Sequence, residues 1–294
     1  FWPLTCIFLL VSAICCAICF KKFVYFLSVG YGFSVIGLGI AYQVVSFMHD
    51  TWDIFGILFT ILFIIYGVRL SGFLLAREIK KASYRKVLKE ATKEGEKKMP
   101  LAIKFVIWIS VTVLYFAETC PIFYRAENSI YQNVALLRFD NFATVNWMGL
   151  IAPIVGVVIS IIGLLLETIA DAQKTKQKKI EPNMVATKNL YKMCRCPNYF
   201  GEIVFWTGVF ISGVQTFSGA GQWIMASVGY ICIVYVMFNS AQRLERRQEK
   251  RYGAMPEYRQ YADHTPILIP LLPIYHIDRK AVSYTHLRAH ETAA

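Results

Sequence analysis

Phe200–Phe217, FGEIVFWTGVFISGVQTF, and Gly221–Ser240, GQWIMASVGYICIVYVMFNS, are two apolar runs that meet at Ser218, Gly219, Ala220 and Gly221. Each is long enough to cross a bilayer, for which a helix needs about 18 residues or more. Hydrocarbon offers the backbone no hydrogen-bond partner, so such runs are expected to be helical. The stretch is either one long interrupted span or two spans joined by a Gly-rich hairpin. Five further apolar runs lie near 1–20, 23–48, 54–76, 101–119 and 147–170. The reading of 200–240 therefore decides between six spans and seven.

The basic residues make that choice. Orientation follows from Lys and Arg in short loops, which stay on the cytosolic side. Lys21 and Lys22 lie in the first loop, and the second, around 48–53, has neither residue type. The third is strongly basic, with Arg77, Lys80, Lys81, Arg85, Lys86, Lys89, Lys93, Lys97 and Lys98. The fourth, about 120–146, holds only Arg125 and Arg138. The fifth carries Lys174, Lys176, Lys178, Lys179, Lys188, Lys192 and Arg195. The turn near 219 has none, and the tail has Arg243, Arg246, Arg247, Lys250, Arg251 and Arg259. Rich and poor loops alternate only if 200–240 is two spans. The expected fold is an all-α integral membrane bundle of about seven transmembrane helices, N-terminus lumenal or outside and C-terminus cytosolic.

Composition agrees. The chain is 56% hydrophobic and 17% charged, against roughly 25% charged in soluble domains. Its net charge of +12 lies between apolar runs, the pattern of topology signals and anionic lipid surfaces rather than of nucleic-acid binding. Cys6, Cys15, Cys16, Cys19 and Cys232 lie inside apolar runs and are expected to pack as small hydrophobes. Cys194 and Cys196 are close together, but a structural zinc site takes about four ligands, and no metal site is expected. The first run lacks the basic flank and cleavage site of a signal peptide. Phe1 in place of Met suggests a fragment or processed product. The segment 281–294, AVSYTHLRAHETAA, resembles translated vector read-through and is set aside. The segment from Arg77 to Lys98 reads as a solvated or interfacial helix.

Polar groups in three places could carry chemistry. Glycines 30, 32, 37 and 39 lack the spacing of a dinucleotide fingerprint and fit close helix packing better. Glu167 and Asp171 are four apart and share a helical face. Asp171 suits a helix end emerging into water, whereas a carboxylate at Glu167, at the membrane edge, is costly enough to suggest function. The second place is Arg195-Cys196-Pro197-Asn198-Tyr199-Phe200-Gly201-Glu202. Pro197 disfavours helix at Cys196, so the sixth span starts with Asn198 near its N-terminus and Glu202 one turn on. Asn198 could merely cap the helix, or it could meet an anionic or amide group there. After the seventh span, Asn239, Gln242, Arg243, Glu245, Arg246, Glu249, Arg251 and Tyr252 read as a charged helix.

With these residues the region 147–270 resembles the C-terminal part of the steroid 5-alpha-reductase family, most nearly its DUF1295 branch. The family signature is Arg, usually His, then Pro-Asn-Tyr-x-Gly-Glu/Asp, matched by Arg195 to Glu202 with Cys196 in the His place. Glu167-x-x-x-Asp171, Tyr258-x-x-Tyr261 with Pro266, and Tyr66-Gly-Val-Arg69 add to the likeness.

The resemblance implies a seven-helix membrane oxidoreductase that uses NADPH to reduce a carbon–carbon double bond of a lipid-soluble substrate, steroid-like or an enoyl or prenoid lipid. It implies a cofactor site of Glu167, Asp171, Lys178, Arg195, Asn198, Tyr199, Glu202, Arg243, Glu245 and Tyr258. Tyr66 and Glu202 become catalytic candidates, Tyr66 as donor to the substrate carbonyl, and Gln43 and Arg69 substrate contacts. The cofactor part is 147–279, with 1–146 supplying the N-terminal helices and 280–294 outside the functional chain. The membrane would be the endoplasmic reticulum or a bacterial inner membrane. The competing reading is a membrane methyltransferase of the isoprenylcysteine or phospholipid type, using S-adenosylmethionine. Glu202 after the glycine and the Glu167/Asp171 pair favour the reductase.

Overall fold

The computed structural model describes residues 2–17, 20, 29–80, 100–131, 136–139, 141, 144 and 146–277. Its long helices follow the apolar runs one for one: α1 Trp2–Ala17, α2 Val29–Met48, α3 Ile54–Lys80, α4 Leu101–Tyr131, α5 Ile151–Ile180, α6 Pro197–Gly213 and α7 Ala220–Tyr252. A short α8, Pro256–His264, follows, and there is no strand among the described residues. Five of the helices, those within 29–48, 54–72, 101–129, 147–180 and 220–252, are long and apolar enough to cross a membrane. At 16 and 17 residues, α1 and α6 are shorter. The protein is an all-helical, multi-pass integral membrane protein. Most of the basic third loop, 81–99, and the segment 281–294 fall outside the described residues.

The run 200–240 is two helices. α6 stops at Gly213, short of the expected Phe217, and the six residues before Ala220 form the turn. Polar side chains hold it. Gln222 Oε1 accepts from the Ser218 amide at 2.8 Å and from Asn128 Nδ2 at 2.8 Å. Asn128 also donates to the Thr216 carbonyl.

The chain forms two compact units, one of 1–160 with 207–232 and the other of 161–206 with 233–294. In the first, α2 and α3 approach at glycines. A Cβ on Gly67 would lie 2.4 Å from the Gly32 carbonyl, so only glycine lets the backbones meet. This bears out the packing reading of the α2 glycines.

One boundary moves. α4 runs through Pro121 to Tyr131, twelve residues past the apolar run that ends at Thr119, so Arg125 lies in a helix and not in a loop. Its Nη2 is 2.7 Å from Asp53 Oδ2, with both side chains buried. Asp53 Oδ1 in turn accepts from the Gly56 amide at 2.7 Å, capping α3. The charge belongs to the bundle interior, where hydropathy could not foresee a partner.

Candidate functional site

The second unit contains every candidate of the 147–279 region. Past Ala170, α5 turns polar, and its side chains organise the loop after it. Gln173 Oε1 accepts from the Leu190 amide at 3.1 Å, and Gln177 Oε1 from the amides of Thr187 and Lys188 at 3.0 Å each. Lys178 Nζ donates to Tyr252 Oη at 2.8 Å, to the Pro182 carbonyl at 3.2 Å and to the Met184 carbonyl. Tyr261 Oη donates to the Tyr191 carbonyl at 2.6 Å, and Tyr191 Oη to the Ala170 carbonyl at 3.3 Å.

These ties enclose a cavity of about 170 Å³ lined by Lys174, Lys178, Arg195, Arg247 and Arg251, with Tyr191, Tyr252, Tyr261, Val185, Ala186, Leu244 and Gln248. Among the residues that line it there are five cations and no carboxylate. Such a chamber attracts anions by its field alone, and the guanidinium forks match phosphate oxygens. The Tyr261 phenol in the wall stays neutral, since burial raises its pKa.

Arg195 is the fixed member of the set. Its amide donates to the Pro266 carbonyl at 2.8 Å. Its Nη2 donates to Glu245 Oε1 at 2.9 Å, both side chains 1% exposed, and to the Tyr275 carbonyl. Nε and Nη1 are buried, and the guanidinium has the Tyr258 phenol as a hydrogen-bond neighbour. Tyr258 lies close enough that the guanidinium offsets part of burial's push on its phenol. Arg195 therefore brings a fixed positive charge to the cavity wall.

The turn after Arg195 is built by Pro197 at the first position of α6, as expected. A Cβ on Gly201 would lie 2.7 Å from the Glu167 amide and 2.9 Å from the Gly163 carbonyl, so α5 and α6 touch backbone to backbone there. That contact buries Glu167 and Glu202, and Trp206 Nε1 approaches Glu202 Oε1 at 3.4 Å. Asn198 Oδ1 is buried with no hydrogen-bond partner among the described residues, an acceptor left open at a helix start. Burial pushes the Cys196 thiol up to about 12, so it stands as a small neutral wall where the resembled family has His.

A family model for a protein of unknown function, DUF1295, matches residues 28–265. This chain belongs to the DUF1295 family. No curated protein and no solved structure gives a match to it. In this DUF1295 protein, Lys178 and Arg195 line the cavity, and Glu245 and Tyr258 back Arg195. Glu167, Asn198 and Glu202 gather around Gly201, with Tyr199 half-buried beside Asn198 and Asp171 half-buried one turn beyond Glu167. Arg243 is exposed, its Nη2 on Ser240 Oγ at 2.8 Å, and does not line the cavity.

Three expected site residues belong to the first unit. Tyr66 is fully buried, edge-on to Tyr31 with ring centroids 5.9 Å apart. Arg69 is half-buried. Gln43 lines a small chamber with Asp53 and Arg125, and its Nε2 is buried with no hydrogen-bond partner among the described residues.

Lys174, Arg247 and Arg251 line the cavity and are not among the expected site residues. A signal was present: Lys174 and Lys178 are four apart on α5, and Arg247 and Arg251 four apart on α7, so each pair shares one helical face.

Proposed function

We propose that this DUF1295 protein is a membrane reductase that uses NADPH to saturate a carbon–carbon double bond in a lipid-soluble acceptor, as the resemblance to steroid 5-alpha-reductases implies. The observation that supports it best is the cavity with five lining cations and no lining carboxylate. A phosphorylated dinucleotide suits that charge, whereas S-adenosylmethionine, which carries a sulfonium and an ammonium group, does not. The polar groups fit as well: Arg195 adds a fixed guanidinium to the wall, and the Asn198 Oδ1 acceptor is buried with no hydrogen-bond partner among the described residues, a place for a carboxamide.

NADPH when bound would supply the hydride. The chain's own part is to hold phosphate through Lys174, Lys178, Arg195, Arg247 and Arg251, and a carboxamide through Asn198. Tyr66 donates to the acceptor's carbonyl oxygen, where negative charge develops as the double bond takes up hydride before its proton. The Gly201 contact with α5 fixes the start of α6, on which Asn198 lies. The expected topology, with the basic loops cytosolic, would set the cavity on that side. The acceptor arrives from the bilayer.

The test is binding. Purified protein in detergent quenches NADPH fluorescence saturably and gives no heat with S-adenosylmethionine in titration calorimetry. Saturable S-adenosylmethionine binding without NADPH binding would replace this reading with the methyltransferase one.

A further inference from the structure

After α8 the chain turns back on itself. The Ile267 amide donates to the Ile274 carbonyl at 2.8 Å, and Leu272 to Ile269 at 3.1 Å. The return brings 275–277 onto the Arg195–Glu245 pair. The Tyr275 carbonyl accepts from Arg195 Nη2, and the Ile277 amide donates to Glu245 Oε2 at 3.0 Å. His276 sits between two carboxylates, with Nδ1 2.9 Å from Glu245 Oε1 and Nε2 3.0 Å from Asp263 Oδ1. Its side chain is 22% exposed, Glu245 1% and Asp263 45%, so the chain of contacts runs from solvent to the cavity wall. The family match ends at residue 265, so nothing in it assigns this segment a role.

A ring nitrogen facing a carboxylate at hydrogen-bond distance has to donate. Two such contacts require the imidazolium. Arg195, Glu245, His276 and Asp263 then alternate in sign and sum to zero, which meets the condition under which a buried ion pair holds its geometry. Without His276, the Glu245 carboxylate keeps Arg195 and the Ile277 amide but loses the third donor that fixes its plane.

We propose that His276 is a positioning residue for the anion site: through the shared carboxylate of Glu245 it holds the Arg195 guanidinium in place at the wall of the cavity, where its charge meets phosphate. The inference rests on the cavity's binding a phosphorylated ligand, and its sign is fixed by the groups that face His276, which are Glu245 from α7, Asp263 from α8 and Arg195 from the loop before α6. The bond to Glu245 raises the His276 pKa above its ordinary 6.5 against the opposing pull of burial. A raised folded value means that the positioning is complete below the ordinary pH range of histidine and is lost as pH rises through the raised one. The ligand's own phosphate ionises in the same range and tightens binding as pH rises. The informative quantity is thus the ratio of variant to wild-type affinity, not either alone.

The experiment titrates the full chain in detergent with NADPH and, separately, with inorganic pyrophosphate, from about pH 6 to about pH 9. His276→Gln is expected to weaken pyrophosphate binding on the order of tenfold at the acid end, the weight of one charge-assisted hydrogen bond, and the ratio to wild type should shrink toward one at the alkaline end. Asp263→Asn keeps the imidazole but removes its outer partner, so it should move that convergence to lower pH while the folded protein is retained. A His276→Gln ratio that stays at one, or that is constant across the pH range, overturns the proposal. Pyrophosphate binding that behaves as predicted in a protein that does not bind NADPH overturns the reductase reading and supports this one. A wild-type protein that binds neither overturns both.

Discussion

Two buried arginine–carboxylate pairs divide the labour of this protein. Asp53 and Arg125 meet in the first unit at 2.7 Å, 4% and 3% exposed, beside a chamber of about 10 Å³, room for one water. Arg195 and Glu245 meet in the second unit at 2.9 Å, both 1% exposed, on the wall of a cavity of about 170 Å³. The local chemistry is the same and the surroundings differ. Asp53 spends its second oxygen capping α3, which makes its pair part of the scaffold. Glu245 spends its second oxygen on the returning chain at Ile277, and its partner stands among the cations of the cavity. A buried pair next to space and further cations suits the proposed anion site, whereas a buried pair sealed by a helix cap suits the fold.

The largest effect is expected where the pair is sealed. Arg125→Met leaves Asp53 charged and buried without its cation, which costs about 3–5 kcal/mol. Thermal unfolding in detergent should show it, and NADPH affinity of the remaining folded protein should be unchanged. Adding Asp53→Asn, which keeps a capping acceptor, should recover most of the loss. A single variant within about 1 kcal/mol of wild type would mean that water reaches the pair.

The next effect separates turnover from binding within the same comparison. Tyr66→Phe keeps the ring against Tyr31 and removes only the hydroxyl. If the first unit serves the acceptor and the second the cofactor, turnover falls on the order of a hundredfold with NADPH affinity intact. Unchanged turnover removes Tyr66 from the mechanism.

The sequence made one half of this contrast easy to see. Apolar runs and alternating basic loops yield the seven long helices, and Pro197 yields the start of α6, because hydropathy and proline act locally. Arg125 was read as a loop residue because the run ends at Thr119, yet α4 continues to Tyr131. Toward its C-terminal end Glu118, Arg125, Glu127 and Asn128 are buried, and burial inside a bundle is not a property of a local window. The same limit hid His276, whose contact with Glu245 spans 31 positions, and the Tyr275 carbonyl, which reaches Arg195 across 80. Motif matching found Arg195 and Lys178, since both lie in stretches that resemble a known family. It passed over Arg247 and Arg251, whose charge alone looked like that of any cytosolic tail.

Those two residues give the third test. Arg251 is exposed at the cavity mouth, its guanidinium 5.2 Å from the Tyr252 ring centre. Arg251→Gln should weaken NADPH binding about tenfold, the weight of one charged phosphate contact, while the unfolding temperature stays that of wild type. This is the reverse of Arg125→Met, and a stability loss without a binding loss would erase the contrast between the two regions.

The smallest expected effect probes how firmly the cavity's cations are held. Tyr252→Phe keeps the ring under Lys178, whose Nζ lies 4.9 Å from the ring centre, and deletes only the 2.8 Å hydrogen bond to its hydroxyl. Lys178 retains the Pro182 and Met184 carbonyls, so the ammonium stays at the wall with one donor released. A net hydrogen bond is worth about 1 kcal/mol, and here its loss to the fold is offset by a donor gained for phosphate. NADPH affinity should therefore shift by about threefold or less in either direction. A drop as large as that of Arg251→Gln would show that the phenol itself touches the ligand, and would move Tyr252 from the frame of the site to its lining chemistry.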